Sequence, residues 1–396
     1  MKLTYNHTMK SCFVAYMASA VINNTLPLLF LVFQKSFGIT VAQLGFLVAL
    51  NFGVQMFVDI IGAKYGDVWG YRATIITALA MATLGFVALG TLPFVISPYI
   101  GLICAVCIYG VGSGLLEVVV SPITEALPSD NKEAAMSLLH SFYCWGHLVC
   151  ILLSTAFFVF VGIENWRYLI YAWALLPFVA MLLFTKVPMC SLQSEEDEKT
   201  SVRSLWKQKG FILFFFVMVC SGAAEQSMAQ WVSYFAEEGL RVSKTLGDLL
   251  GASMFALCMA IGRTFYSKNA EKLNLRKYLI ICAVVTACTF LGASLIKTPV
   301  VALLCCGICG LSVAIMWPGS LSLATKTLPG KSTAMFGLLA VGGDIGCTIG
   351  PEAVAVGASF FTVHGSAIKA GMLCAVIFPL LIFLGVKLTS KKRVKI

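Results

Sequence analysis

Charged residues are scarce in this sequence. Only 12% of its 396 residues are Asp, Glu, Lys or Arg, whereas about a quarter are charged in an average soluble domain. Hydrophobic residues account for 59% of the chain, and they form repeated runs of the roughly 20 residues that a helix needs to cross a bilayer. The composition therefore excludes a soluble globular protein and predicts an all-α membrane protein.

Two motifs of hydrolytic enzymes are also missing. The chain contains neither HExxH, which places two zinc ligands and a base on one helix, nor GxSxG, which presents a nucleophilic serine. Its 15 cysteines are scattered through apolar runs, and no CxxC pair among them has a loop setting that would suggest a zinc site. We therefore expect no enzymatic activity, no metal and no cofactor.

What the sequence does contain is a series of twelve apolar segments. Each segment is long enough for one membrane-spanning helix. The predicted spans are 11–33, 40–63, 73–92, 98–126, 135–162, 166–187, 210–236, 244–266, 276–297, 299–325, 332–362 and 367–388.

Lysine and arginine are distributed unevenly between the predicted loops. Most of the 28 Lys and Arg residues fall in alternate loops and near the two ends of the chain. Positive residues are retained on the cytoplasmic side of a membrane. The sequence thus predicts that both termini are cytoplasmic, and the net charge of +10 requires no nucleic acid as a partner.

Polar side chains interrupt the first two spans. Asn23 and Asn24 lie in span 1 with Pro27 close behind, and Asn51 and Gln55 lie one turn apart on span 2. Proline frees a backbone carbonyl, which is tolerated in a membrane only where other groups satisfy it. These polar residues either line a central cavity or join neighbouring helices by hydrogen bonds.

An acid lies within the fourth span. Glu117 shares a helix face with Gly110 and Gly114, and His140 and His147 share a face of span 5. A carboxylate at membrane depth is costly unless it faces a cavity or the bundle interior. Glu117 is therefore predicted to bind a proton or the substrate, with His140 as a second proton-coupling residue. A static role in helix association is the alternative, and a metal site lacks any spacing signature.

Span 7 is polar along much of its second half. Gln226 and Gln230 share a helix face, and Trp231 lies on the next one. Amides donate and accept hydrogen bonds, and an indole offers an apolar plate to a sugar ring. Span 10 adds Trp317 beside a proline. Asp344 on span 11 is a further intramembrane acid, either paired structurally or involved in transport.

The segment from Gly62 to Arg72 is expected to form a tight, glycine-punctuated loop between spans 2 and 3. Its residues Asp67, Gly70 and Arg72 resemble the loop 2–3 signature of the major facilitator superfamily. The resemblance implies a conformational latch, so these three residues are assigned to gating, and Arg72 is expected to pair with a nearby acid. Arg263 ends span 8 at the equivalent place and is expected to contact a cytoplasmic acid.

A second resemblance is carried chiefly by spans 1, 4, 5 and 7. The motif Gly-x-Gly-x-Leu-Glu ending at Glu117, the pair Ser121-Pro122 and the motif Leu-Leu-His-Ser ending at Ser141 resemble the fucose permease branch, the sugar–proton symporters of that superfamily. In that branch the helix 4 glutamate lies in the central cavity and is linked to coupling, which implies the same for Glu117. Pro27 stands where the branch carries a second acid.

The sequence also repeats itself. Leu127-Pro128 recurs as Leu328-Pro329, and Ala135-Met136 as Ala334-Met335. Such internal repeats are typical of transporters built from two similar halves. We expect two pseudo-symmetric six-helix bundles, as in the major facilitator fold, at 1–187 and 209–396, joined by a cytoplasmic linker at 188–208.

Together these features predict a secondary transporter for proton-coupled uptake of a monosaccharide or similar small polar solute by alternating access. An exporter or uniporter for a drug or organic acid and a membrane sensor that does not transport are the alternatives. The expected setting is a monomer in the lipid bilayer of the plasma (inner) membrane. The predicted substrate contacts are Asn23, Asn24, Gln55, Glu117, Gln226, Gln230, Trp231 and Trp317.

Overall fold

The computed structural model describes residues 3–128, 132–190, 205–269, 273–328 and 333–391. Within these ranges, twelve helices are long and apolar enough to cross a membrane. Each of them coincides with one predicted span. The predicted all-α membrane fold is therefore confirmed.

The first six spans, α1–α6, include one that is interrupted. Pro27 lacks a backbone N–H and lies in a short 3₁₀ turn within α1, where the tighter winding accommodates the missing hydrogen bond. The bounds are Tyr5–Thr25, Leu26–Leu29 and Phe30–Phe37 for α1, Val41–Trp69 for α2, Tyr71–Val95 for α3, Pro98–Ala126 for α4, Lys132–Val161 for α5 and Trp166–Lys186 for α6.

The last six spans, α7–α12, contain two π-helical segments, which end α7 and interrupt α8. Segments of this kind occur frequently at functional sites. The bounds are Lys209–Tyr234 and Phe235–Gly239 for α7, Lys244–Gly247, Asp248–Ser253 and Met254–Asn269 for α8, Leu275–Leu295 for α9, Pro299–Val313 and Met316–Thr327 for α10, Thr333–Phe360 for α11, and Ala367–Cys374 and Ile377–Lys391 for α12.

The chain forms two compact units, Met1–Gln193 and Ser194–Ile396, and the boundary between them lies inside the predicted linker. In the first unit α1 packs against α5, α2 against α4, and α3 against both α4 and α6. In the second unit α7 packs against α11, α8 against α10, and α9 against both α10 and α12. The same pairings thus recur six helices later, as expected for two similar bundles.

The expected loop after span 2 is largely helical. Helix α2 continues to Trp69, and Gly70, with φ at 75°, is the single residue between it and α3. Glycine adopts a positive φ without the steric cost that a Cβ would impose. One residue is therefore enough to reverse the chain, and the expected tight loop from Gly62 onwards is wrong.

Candidate functional site

The first unit contains a buried group of amide and hydroxyl side chains, here called the Asn23 cluster. Asn23 Oδ1 accepts hydrogen bonds from Asn51 Nδ2 at 3.2 Å, Gln55 Nε2 at 3.0 Å and Ser113 Oγ at 3.2 Å. All four side chains are buried, and they come from α1, α2 and α4. The structure therefore joins the predicted residues Asn23 and Gln55, and it adds Asn51 and Ser113 to them.

Asn24 belongs to a different contact, between α1 and α5. Its Nδ2 donates to a carbonyl of its own helix at 2.8 Å and to Tyr143 Oη at 3.5 Å. One turn before Tyr143 on α5, Nδ1 of the exposed His140 lies 3.0 Å from Tyr16 Oη of α1. Within the described ranges no hydrogen bond or ion pair joins His140 to Glu117. The two predicted proton-coupling residues are thus not in contact in this conformation.

A carboxyl pair lies next to the Asn23 cluster. Glu117 is one turn beyond Ser113 on α4, and one of its oxygens lies within 4.8 Å of a carboxylate oxygen of Asp59 on α2. The small size of Gly114 permits this approach, because a Cβ there would stand 2.9 Å from Val58 Cβ. Both acids are half-buried. Two ionisable groups therefore lie close together where α2 and α4 touch, with Glu117 inside its span and Asp59 near the end of the α2 span at Ile61.

Arg72 joins the start of α3 to the end of α6. Its Nη1 and Nη2 donate to the carbonyls of Phe184 at 2.6 Å and Val187 at 2.7 Å. The last carbonyls of a helix have no intrahelical donor, so a guanidinium fork suits them. Among the described side chains, these carbonyls and no acid bind Arg72. The side chain of Asp67 lies outside the described residues, and gating by Asp67, Gly70 and Arg72 stays a prediction.

The second unit contains an ion pair inside the membrane span. Arg263 Nη2 on α8 lies 3.1 and 3.3 Å from the two carboxylate oxygens of Glu225 on α7. Glu225 is only 8% exposed. Among the described residues Arg263 thus pairs with an acid inside the span, because the long arginine side chain carries its charge away from the backbone position that the sequence shows. A cytoplasmic acid as a further partner of Arg263 stays a prediction. A gating role for Arg263 stays a prediction.

The polar half of α7 is more enclosed than expected. Gln230 Nε2 donates to Gln226 Oε1 at 3.0 Å, so the two predicted amides lie side by side, and both are buried. Trp231 is completely buried, and its Nε1 donates to the carbonyl of Pro351 on α11 at 3.0 Å. In this structure the indole therefore connects two helices and is not presented to a solute, in contrast to the predicted sugar-binding plate.

Trp317 differs from Trp231 because it is partly exposed. It lies at the start of the second part of α10, beside Pro318. A Cβ on Gly343 of α11 would overlap the indole of Trp317. The glycine therefore makes room for this ring, and Trp317 retains the exposure that a solute contact requires.

Sequence reasoning missed a group of charges at the start of α8. Lys244 Nζ lies 3.2 Å from Glu237 Oε1 and 3.2 Å from Asp248 Oδ2. Ser233 Oγ donates to Asp248 Oδ1 at 2.5 Å, and Asp248 is completely buried. The spacing of Lys244 and Asp248 could have predicted part of this group, because oppositely charged residues four apart on a helix are neighbours.

Several solved structures of transporters have a fold similar to that of this chain. The nucleoside transporter NupG is 12% identical, with a TM-score of 0.78 over 98% of this chain and 100% of that one. The E. coli fucose:proton symporter FucP is 17% identical, with a TM-score of 0.65 over 98% and 100%. The D-xylose-proton symporter is 14% identical, with a TM-score of 0.77 over 98% of each chain. Identities this low show the fold alone.

The family is shown by a different comparison. No curated protein matches the chain. The sequence model of one family, however, matches residues 11–351, which is most of the chain and extends over both units. The protein is accordingly a multi-pass membrane transporter and not an enzyme. It belongs to the Major Facilitator Superfamily.

Proposed function

We propose that this transporter takes up a monosaccharide or a similar small polar solute together with protons, by alternating access. The observation that carries the proposal is the proximity of the carboxyl groups of Glu117 and Asp59, whose oxygens lie within 4.8 Å of each other. Two negative charges this close repel strongly away from bulk water, so the pair favours a state in which one carboxyl holds a proton. That proton can leave when the surroundings of the pair become aqueous.

The character of the neighbouring side chains supports a polar, uncharged solute. The Asn23 cluster offers several hydrogen-bond donors and acceptors but no charge. Gln226 and Gln230 have the same chemistry in the second unit. Amide groups match the hydroxyl groups of a sugar, which also donate and accept. We therefore propose that solute hydroxyls exchange with the amide–amide hydrogen bonds seen here, and that the exposed Trp317 contacts the solute.

Two of the similar solved structures support this choice of solute and coupling. One is named as a fucose:proton symporter and another as a D-xylose-proton symporter. Their identities to this chain are 17% and 14%, so they support a solute class and do not identify a particular sugar.

Proton uptake can be tested with the purified protein in proteoliposomes. A panel of monosaccharides is added without any imposed gradient, and the pH of the external medium is recorded. We expect at least one sugar to make the medium more alkaline, because solute and protons enter together. Carboxylate oxygens also bind hard cations, so the assay is repeated with a sodium gradient. Accumulation that follows sodium and not pH would reject proton coupling.

The variant Glu117→Gln tests the carboxyl pair directly. Glutamine keeps the size and much of the hydrogen bonding of the side chain but cannot exchange a proton. We expect it to abolish sugar accumulation driven by a pH gradient while sugar exchange continues. Glu164→Gln, in the exposed segment between α5 and α6, is the matched control and should accumulate sugar normally. Full accumulation by Glu117→Gln would reject the proposal.

A further inference from the structure

One intramembrane acid on α11 has no place in the mechanism proposed above. Glu352 follows Pro351 and precedes the helix end at Phe360 by eight residues, which corresponds to about 12 Å along the axis. Its Oε2 is shielded from solvent and accepts no hydrogen bond from any described residue. Neither does Glu352 form an ion pair within the described ranges. One oxygen of this carboxyl group thus lies within a span, shielded from solvent, with no compensating charge among the described residues.

The helices packed against α11 do not provide that charge. They are α7, α10 and α12. Glu225 of α7 is bonded to Arg263, and Lys369 of α12 donates to the carbonyl of Ile296 at 3.4 Å. None of the other ionisable groups on these helices forms a hydrogen bond or ion pair with Glu352 in the described part of the chain; they include Lys209, Cys220, Tyr234, Lys326 and Cys374.

Helix packing does not account for Glu352 either. The face of α11 that touches α7 is made of glycine, because a Cβ at Gly346 or Gly350 would overlap the α7 backbone. Glu352 lies on a different face, together with Asp344 and Thr348, since the three residues are spaced four apart. All three are partly exposed. A polar stripe therefore runs along α11 beside its packing face.

We propose that Glu352 is a proton-binding site of the second unit, which holds a proton in this conformation and releases it during the transport cycle. A carboxylate oxygen that is shielded from solvent and has no hydrogen-bond donor is costly to leave ionised within a membrane span. The protonated carboxyl is neutral, and its O–H can donate. Asp344 and Thr348 continue the polar stripe along which the proton moves. The role in transport rests on the proposed proton coupling, whereas the protonation of Glu352 does not.

Protonation can be tested on the intact wild-type protein with a hydrophobic carbodiimide. The carboxyl O–H adds across one N=C bond: a C–O bond forms, the proton moves to nitrogen, and migration of the acyl group to nitrogen leaves a stable N-acylurea. An ionised carboxylate in water does not give this product efficiently. Mass spectrometry of peptides then locates the label. We expect labelling of Glu352 in acidic buffer and loss of that label as the pH is raised.

Glu164 provides the internal control for this experiment, because its exposed carboxylate should remain unlabelled. Glu352→Gln should lose the label from its own peptide and keep any label on Glu117. An absence of label on Glu352 throughout the pH range, or label that does not change with pH, would overturn the proton-binding site. This outcome is independent of whether the protein transports a sugar.

The role in transport has a separate readout, the number of protons taken up per sugar. We expect this ratio to fall in Glu352→Gln, to recover in Glu352→Asp, and to stay unchanged in Glu164→Gln. An unchanged ratio in Glu352→Gln would reject the role of Glu352 in coupling. If the wild-type protein takes up sugar without protons, the proposed coupling fails, and the pH-dependent label still decides whether Glu352 binds a proton.

Discussion

Trp231 illustrates how the role of one side chain depends on what covers it. Helical periodicity correctly places it beside Gln230 on a polar segment of α7. Periodicity specifies the direction in which a side chain leaves its helix, but not which neighbouring helix it meets. Here α11 covers the ring and offers the carbonyl of Pro351 to its N–H. The sequence could therefore predict that Trp231 lies on a polar segment of α7. It could not predict that α11 covers the ring.

The variant Trp231→Phe separates packing from solute binding. Phenylalanine keeps an aromatic ring but cannot donate to the buried Pro351 carbonyl. An acceptor left without its donor costs about 1–3 kcal/mol, so we expect a lower unfolding temperature with unchanged sugar affinity. Thermal unfolding and calorimetry measure the two quantities. Trp317→Phe, at the partly exposed indole, is the control and should weaken affinity instead. Weaker sugar binding by Trp231→Phe at unchanged stability would contradict this interpretation.

At the scale of helices, the close contact between α2 and α4 depends on a glycine, Gly114, which has no side chain. Gly114→Ala would place a Cβ 2.9 Å from Val58 Cβ, which separates the helices and with them Glu117 and Asp59. Gly53 on α2 has nothing within 4 Å of an added Cβ. Gly53→Ala is therefore the matched control.

We expect opposite effects from these two substitutions. Alanine in a helix is favoured over glycine by about 1 kcal/mol, so Gly53→Ala should stabilise the protein slightly and preserve accumulation. Gly114→Ala should lower both the unfolding temperature and pH-driven accumulation. Equal behaviour of the two variants, in thermal unfolding and in proteoliposomes, would show that the close approach of α2 and α4 is unimportant.

The ion pair between Glu225 of α7 and Arg263 of α8 also connects two helices. Breaking a buried ion pair by removing one partner typically costs about 3–5 kcal/mol, and the 25% exposure of the Arg263 side chain places this pair at the lower end of that range. We expect Glu225→Gln to destabilise the protein strongly and the double variant with Arg263→Gln to recover much of the loss. Glu238→Gln breaks an exposed pair with Arg241 and should cost less than about 1 kcal/mol.

A double-mutant cycle on thermal or denaturant unfolding measures that coupling. Additive effects of the two substitutions would show that the ion pair is not a unit.

The partner of Arg263 could not be predicted from the sequence, because it depends on how α7 and α8 pack. The helices themselves were predictable, since apolar length is a local property of the chain. The continuation of α2 to Trp69 was not, because a glycine-rich segment is compatible with both a loop and a helix.

For the molecule as a whole, the sequence repeat predicted two similar halves from only a few matching residues. The structure strengthens that prediction through helix pairing, which recurs across all six positions. Which helices pack together is determined by complementary faces along their entire length. Two halves can therefore share the same helix pairing while only a few of their residues are identical. The fold was therefore more predictable than the site, where single distances decide the chemistry.

Reporter fusions test the predicted orientation of the whole chain. Alkaline phosphatase is active only outside the cytoplasm. Fused after Asn165, between α5 and α6, it should be active, whereas fused after Lys186, at the end of α6, it should be inactive. The reason is the excess of Lys and Arg in alternate loops. The reverse pattern of activity would place both termini outside.

The division of the chain into units has a consequence for its synthesis. The helix pairings of the first unit, from α1 with α5 to α3 with α6, are all formed by residues that precede Ser194. Translation proceeds from the N-terminus, and domains tend to fold as they emerge from the ribosome. All six helices of the first bundle are therefore synthesised before the ribosome translates the second half of the mRNA. The first bundle can thus be complete before α7 is made.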